Sequence, residues 1–161
     1  STGEVMGIGT SFAEAYDKSQ ISAGTIIPDG GSVFLSVREN DKPHLKELAT
    51  RLDQLNLSIV ATKGTAREIQ KMGIKARIIN KVAEGRPHVV DLIKNNEISL
   101  LINTTEGKES IQDSSSIRRT ALDNKIPCTT TLQGGLAICE VLEKRLDWSV
   151  QNIQDIHKSI E

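Results

Sequence analysis

An α/β fold, a doubly wound parallel five-stranded sheet with helices on both faces, follows from three properties of the sequence. Short apolar runs alternate with segments of helical period, one run is apolar almost throughout, and small polar and basic residues collect where the runs end. The first run, Val33-Phe34-Leu35-Ser36-Val37 behind Gly30-Gly31, reads as a strand. Pro43 suits a first helical turn, and Leu45, Leu48, Leu52 and Leu55 then recur three or four apart on one face. Leu57 to Ala61 makes the second strand, and a helix restarts at Thr65 and stops at Gly73. Ala76 to Ile79 is a short third strand, and Pro87 opens a helix carrying Val89, Val90, Leu92 and Ile93. Ile98 to Ile102 is apolar enough for the middle of a sheet covered on both faces. Ser114 to Lys125 and Gly135 to Leu146 read as helices around a short strand at Ile126 to Thr131, and Val150 to Ile160 as a terminal helix docked outside. Residues 1–24 do not join the alternation and carry only a short helix around Phe12 to Tyr16, so the division falls into 1–24 and a domain of 25–161.

Composition narrows the function classes. A chain of 161 residues with 37% apolar and 25% charged residues suits one ordinary core without metal or disulfide support. Its net charge of -1 gives no nucleic-acid footprint, no run approaches the roughly 18 apolar residues of a membrane span, and there is no signal pattern. Cys128 and Cys139 share no metal spacing with His44, His88 or His157 and read as reduced thiols, which places the chain in the cytoplasm. Gly7-Ile8-Gly9 imitates a dinucleotide fingerprint but lacks its third glycine and a preceding strand.

The polar residues at strand ends are the candidate site. In an open parallel sheet the ligand crevice lies beyond the carboxyl ends of the strands, where this chain places Ser36 and Lys42, Thr62 to Thr65, Asn80-Lys81, and Asn103-Thr104-Thr105. Hydroxyls, amides and ammoniums without a cluster of carboxylates suit a phosphate monoester. Thr62-Lys63-Gly64-Thr65 alone reads equally as an anion-binding turn or as a threonine helix cap. Lysines and amides converging from the other strand ends favour the anion.

Ser1-Thr2-Gly3-Glu4-Val5-Met6-Gly7, Leu35-Ser36-Val37-Arg38-Glu39, Ala61-Thr62-Lys63-Gly64-Thr65, and Asn80-Lys81-Val82 with Glu84-Gly85-Arg86-Pro87-His88 together form a longer pattern. With Ile102-Asn103-Thr104-Thr105, Ile117-Arg118-Arg119 and Thr130-Thr131-Leu132 in order, nearly the whole chain resembles the carboxyl-terminal part of the large subunit of bacterial carbamoyl phosphate synthetase. The resemblance implies an allosteric domain of the methylglyoxal synthase-like fold, attached to ATP-grasp halves that use ATP and Mg or Mn, with residues 1–24 as the tail of the preceding one. It further implies a glutaminase small subunit as partner, homo-oligomer contacts, UMP as inhibitor and IMP as activator, and a role in pyrimidine and arginine biosynthesis. Carried over by position, Ser36, Lys42, Thr62, Thr65, Lys81 and Asn103 would contact phosphate, and Thr104, Thr105, Asp113, Ser116 and Ile117 would flank ribose and base. Where the family has a Tyr-Asp-Thr stretch for ornithine, this chain reads Cys128-Thr129-Thr130, so loss of the carboxylate implies weak or altered ornithine action.

The rival expectation is a methylglyoxal synthase-type lyase acting on dihydroxyacetone phosphate. Where that enzyme carries aspartates, this chain has Glu84-Gly85-Arg86 and Thr105, leaving Glu84 or Asp91 as substitutes for the base. A domain serving subunit contacts alone is a third expectation, with His88 and Trp148 as interface residues.

Overall fold

A computed structural model describes residues 3–104, 108–145 and 150–158, the side chains of 108–113 excepted. In order these form α1 (Phe12–Ser22), β1 (Ser32–Ser36), a 3₁₀ segment (Glu39–His44), α2 (Leu45–Gln54), β2 (Ser58–Thr62), α3 (Lys63–Lys71) and β3 (Arg77–Ile79). A second 3₁₀ turn (Val82–Glu84), α4 (Val89–Lys94), β4 (Leu100–Asn103), α5 (Lys108–Asp123), β5 (Cys128–Thr129), α6 (Leu132–Lys144) and α7 (Ile153–Lys158) follow. The sheet is five-stranded, in the order β3-β2-β1-β4-β5, and every pairing is parallel.

Strand alternation sends neighbouring side chains into two cores. On one face Val33, Leu35, Ile59, Ala61, Leu100 and Ile102 meet the apolar faces of α2, α3 and α6. On the other, Phe34, Val60 and Leu101 meet Val89, Leu92 and Ile93 of α4 and Ile117 and Ala121 of α5. All four residues of β4 are buried, as its apolar sequence predicts, although β1 rather than β4 is the geometric centre. The α2 leucines Leu45, Leu48 and Leu52 are 0% exposed; each contributes about 1.5–3 kcal/mol of transfer free energy.

Several boundaries differ from the sequence expectation. Pro43 lies within the 3₁₀ segment and α2 begins after it, at Leu45. Helix α6 begins at Leu132, earlier than Gly135, because the Thr131 hydroxyl accepts the Gly134 N–H at 3.0 Å and so caps the helix one turn sooner. The two glycines sit inside α6 for steric reasons: a Cβ on Gly134 would lie 1.9 Å from Thr129 Oγ1, and one on Gly135 would lie 3.0 Å from Ile102 Cδ1. Helix α5 starts at Lys108, before the expected Ser114, and α7 buries no residue. Among the described residues no helix is long and apolar enough to cross a membrane.

The segment before β1 is anchored in the same core. Ala13 of α1 is 0% exposed and belongs to the α2/α3/α6 cluster, so residues on both sides of position 24 share one interior. The glycines of the Gly7-Ile8-Gly9 stretch serve that packing, since a Cβ on Gly7 would meet Ala15 O at 2.0 Å and one on Gly9 the Glu14 side chain at 2.6 Å. Glu14 accepts from Thr10 N and Oγ1 at 2.8 and 2.9 Å and from Lys18 at 2.7 Å. Asp17 takes a forked contact from Arg145, Nη2 to Oδ1 at 2.8 Å and Nε to Oδ2 at 3.1 Å, and Arg145 also donates to Ile27 O at 2.8 Å. One guanidinium thus ties α1, the approach to β1 and the end of α6 together.

Two outcomes test this anchoring. The Asp17 side chain is 2% exposed, so Arg145→Met, which removes the guanidinium forked onto its carboxylate, is expected to destabilise by about 3 kcal/mol in chemical denaturation, the low end for a broken buried pair, with partial recovery on adding Asp17→Asn. Lys18 and the Thr10 donors lower the Glu14 carboxyl to about 2 from an ordinary 4.5. A depressed carboxyl stabilises the fold above its unfolded value and loses that contribution as pH falls. Glu14→Gln is therefore expected to be less stable than wild type at neutral pH and to show a flatter loss of stability between pH 4.5 and about 2.

Candidate functional site

The connection order turns back between β1 and β4, which places a crevice beyond their carboxyl ends. There Ser36 pairs in register with Asn103, and the Thr104 N–H donates to Ser36 O at 2.8 Å. The chain leaving β1 is held from both sides. Val37 N–H donates to Thr65 Oγ1 at 3.0 Å, and Arg38 N–H to Thr104 Oγ1 at 2.9 Å. Thr65, 0% exposed, lies 3.3 Å from the Thr62 hydroxyl. Asn103, 3% exposed, donates from Nδ2 to Ser114 Oγ at 3.0 Å, which fixes its amide against α5.

Helix α3 starts directly from β2. Thr62 occupies the N-cap position with extended backbone, yet its side chain makes no capping hydrogen bond. The capping alternative raised by the sequence therefore does not account for this threonine: the first-turn amides of α3 keep their donor capacity and the positive end of the helix dipole faces the crevice. Lys42 reaches the same spot from the 3₁₀ segment. Its Nζ would lie 3.1 Å from a Cβ on Gly64, so the absent side chain lets the ammonium rest over the opening of α3. Lys42 is paired with Glu39, and Arg38 forks onto Asp41 at 2.8 and 3.1 Å. The Arg38 hydrogen bonds hold the Asp41 carboxyl below its usual range against the effect of burial, with further help from the Thr104 hydroxyl.

Ser36, Lys42, Thr62, Thr65, Asn103 and Thr104 are thus gathered around one crevice, four of them buried. Lys81 stands apart on the exposed turn after β3, its backbone N–H donating to Glu84 Oε2 at 3.0 Å. Asn80 bridges to His88, closing the loop that carries Glu84 and Arg86, and donates to Gly85 O at 3.3 Å. Ile117 is 6% exposed and belongs to the core beneath α5, while Ser116 on the same helix is exposed. Thr105 and Trp148 lie outside the described residues, and Asp113 is placed in α5 by its backbone alone. Cys128, Thr129 and Thr130 lie at the far edge of the sheet, on and just beyond β5. Among the described residues no group of three or more His, Cys, Asp or Glu could hold a metal.

Four participants escaped the sequence reading: the Val37 amide, Arg38, Asp41 and Ser114. Arg38 and Asp41 at a spacing of three are visible as a possible local ion pair. Nothing local marks Ser114, which meets Asn103 only through the docking of α5.

A sequence model of the MGS-like domain matches residues 44–130. The chain belongs to the MGS-like domain family. Along its full length this MGS-like domain is 56% identical to the carbamoyl phosphate synthase large chain of Pseudomonas aeruginosa and 54% identical to that of Pseudomonas putida, spanning 15% of the length of each. The carbamoyl phosphate synthase large chain of Vibrio parahaemolyticus is 45% identical over the same 161 residues. The crystal structure of methylglyoxal synthase from Elizabethkingia anophelis superposes with a TM-score of 0.57, covering 81% of this chain and 92% of that one at 13% identity. That likeness shows the fold: the doubly wound sheet expected from the sequence.

Gly64→Ala separates site from scaffold. Alanine favours the helix by up to about 1 kcal/mol, while its Cβ pushes against the Lys42 ammonium. The expected outcome is a melting temperature unchanged or raised, with weaker binding of inorganic phosphate in a competition titration.

Proposed function

We propose that this MGS-like domain is the effector-binding, regulatory segment of a carbamoyl phosphate synthase large chain, and that its ligand is a nucleoside monophosphate seated in the β1/β4 crevice. The observation that carries the reading is the convergence of Lys42, the uncapped start of α3 and the Thr62/Thr65 hydroxyls beside the carboxyl end of β1, next to the switch in strand order. Ammonium, hydroxyl and amide donors are the chemistry that a phosphate monoester demands. Ser36 and Asn103 face the same crevice from the two central strands, and Lys81 would close over the phosphate from its exposed turn. Thr104, its hydroxyl already engaged by Arg38 N–H and Asp41, would brace the wall beside phosphate and ribose. Thr105, Asp113, Ser116 and Ile117 would flank ribose and base, Ile117 only through the small part of its side chain left outside the core.

In this reading UMP inhibits and IMP activates an ATP- and Mg- or Mn-dependent synthesis carried out by ATP-grasp domains of the longer chain, with ammonia supplied by a glutaminase small subunit in the cytoplasm for pyrimidine and arginine biosynthesis. Residues 1–24 lead in from the preceding ATP-grasp unit, and homo-oligomer contacts accompany the regulation. Cys128-Thr129-Thr130 offer no carboxylate to an ornithine ammonium. Ligand capture would act by favouring one of two arrangements of the longer chain.

The lyase alternative finds weak support in the candidate bases. Asp91 accepts from His88 N–H and from Arg86, each at 3.0 Å, which together hold its carboxyl below the usual range, and a base with a lowered pKa is a poor proton acceptor. Glu84 is occupied by the Lys81 amide.

Calorimetric titration with UMP, IMP and dihydroxyacetone phosphate, beside a methylglyoxal assay, tests the proposal. UMP or IMP is expected to bind, and Lys42→Ala and Lys81→Ala each to weaken it by about ten- to a hundred-fold, the value of one charge-assisted hydrogen bond. Methylglyoxal formation would make the domain a lyase, and absence of nucleotide binding would overturn the effector reading.

A further inference from the structure

The phosphate pole contains a carboxylate that has no place in a simple anion site. Glu39 forms an ion pair with Lys42, the ammonium resting over Gly64 at the start of α3. The pair is locally dictated, because residues three apart eclipse one another in a 3₁₀ helix, and Glu39 and Lys42 occupy such positions in the Glu39–His44 segment. The partners differ in environment: the Lys42 side chain is 16% exposed and held against α3, whereas that of Glu39 is 83% exposed and free to swing. Two further carboxylates lie close by: Asp41 is forked by Arg38, and Glu68 pairs with Lys71 at 2.8 Å and feels the Lys42 charge only without contact. Glu39 is the acid that draws directly on the ammonium assigned to the ligand.

We propose that Glu39 is a built-in counter-anion for Lys42 that sets the charge specificity of the crevice, favouring a single phosphoryl group over a polyphosphate. The inference rests on the nucleotide reading of the site. An incoming phosphate either displaces the exposed carboxylate or binds beside it, and in both cases works against one negative charge. That opposition grows with the charge of the ligand. A monophosphate of charge about -2 tolerates it. A triphosphate places more negative charge at the same rim, where Arg38 is already paired with Asp41.

The test is a titration of wild type, Glu39→Gln and Glu39→Asp with UMP and with UTP at low ionic strength. Glu39→Gln is expected to tighten UMP by about two- to five-fold, the range for loss of one exposed ion pair, and to tighten UTP by a larger factor, narrowing the preference for UMP. Glu39→Asp, which keeps the charge, should keep the wild-type order. Since the Glu39 side chain is 83% exposed, equal melting temperatures are expected and exclude a folding effect. If wild type binds UMP and Glu39→Gln binds it equally or more weakly, or both nucleotides gain equally, the counter-anion role fails while the nucleotide reading stands. If wild type binds neither nucleotide, both fall together.

Discussion

The pairing of β1 with β4 is the contact on which the rest of the molecule depends. Ser36 opposite Asn103, with Thr104 N–H on Ser36 O, sets the two central strands level at their carboxyl ends. A shift of one residue would turn every side chain of β4 to the opposite face. Leu101 would leave the α4/α5 core, Leu100 and Ile102 the α2/α6 core, and Asn103 would lose Ser114. Register, core and crevice are therefore a single constraint. Both faces of β4 are apolar-packed, so the slip is costly in either direction.

Buried, hydrogen-bonded groups make the base of the crevice and charged groups its rim. Thr65, Thr104 and Asn103 are buried and held by contacts to Val37, Arg38 and Ser114, leaving few degrees of freedom where β1, α3, β4 and α5 meet. The charged groups lie farther out: Lys42 on a 3₁₀ segment, Lys81 on an exposed turn. A site so arranged has its hydrogen-bonding geometry prepared before a ligand arrives and its charge delivered by side chains that adjust. On the effector reading proposed above, the freedom to adjust to a ligand lies in the loops rather than in the sheet.

The amino-terminal stretch shows how far a local reading misleads about what belongs to a fold. Phe12 to Ser22 carries no strong apolar stripe and stands outside the strand–helix alternation. Yet Ala13 is part of the main core, and Asp17 is buried beneath Arg145, 128 residues away in sequence. Small residues carry this packing: Gly7 and Gly9 allow the preceding chain to lie directly on α1. Such contacts leave almost no periodic signal, because close approach of backbones requires the absence of side chains rather than their pattern.

The class of fold, the alternation of strands and helices, and the gathering of hydroxyls, amides and lysines at strand ends were legible in the chain alone, because each follows from local periodicity and from the rule that parallel sheets bind ligands at their carboxyl edge. Tertiary structure alone decided which of those residues meet. Lys42 lies over Gly64, Thr65 takes the Val37 amide, and Asn103 takes Ser114, while Ile117 turns into the core and Lys81 stays on the rim. Strand order, and with it the position of the crevice, arises from pairings between segments far apart in the chain. Local sequence carries the period of an element but not the identity of its neighbour.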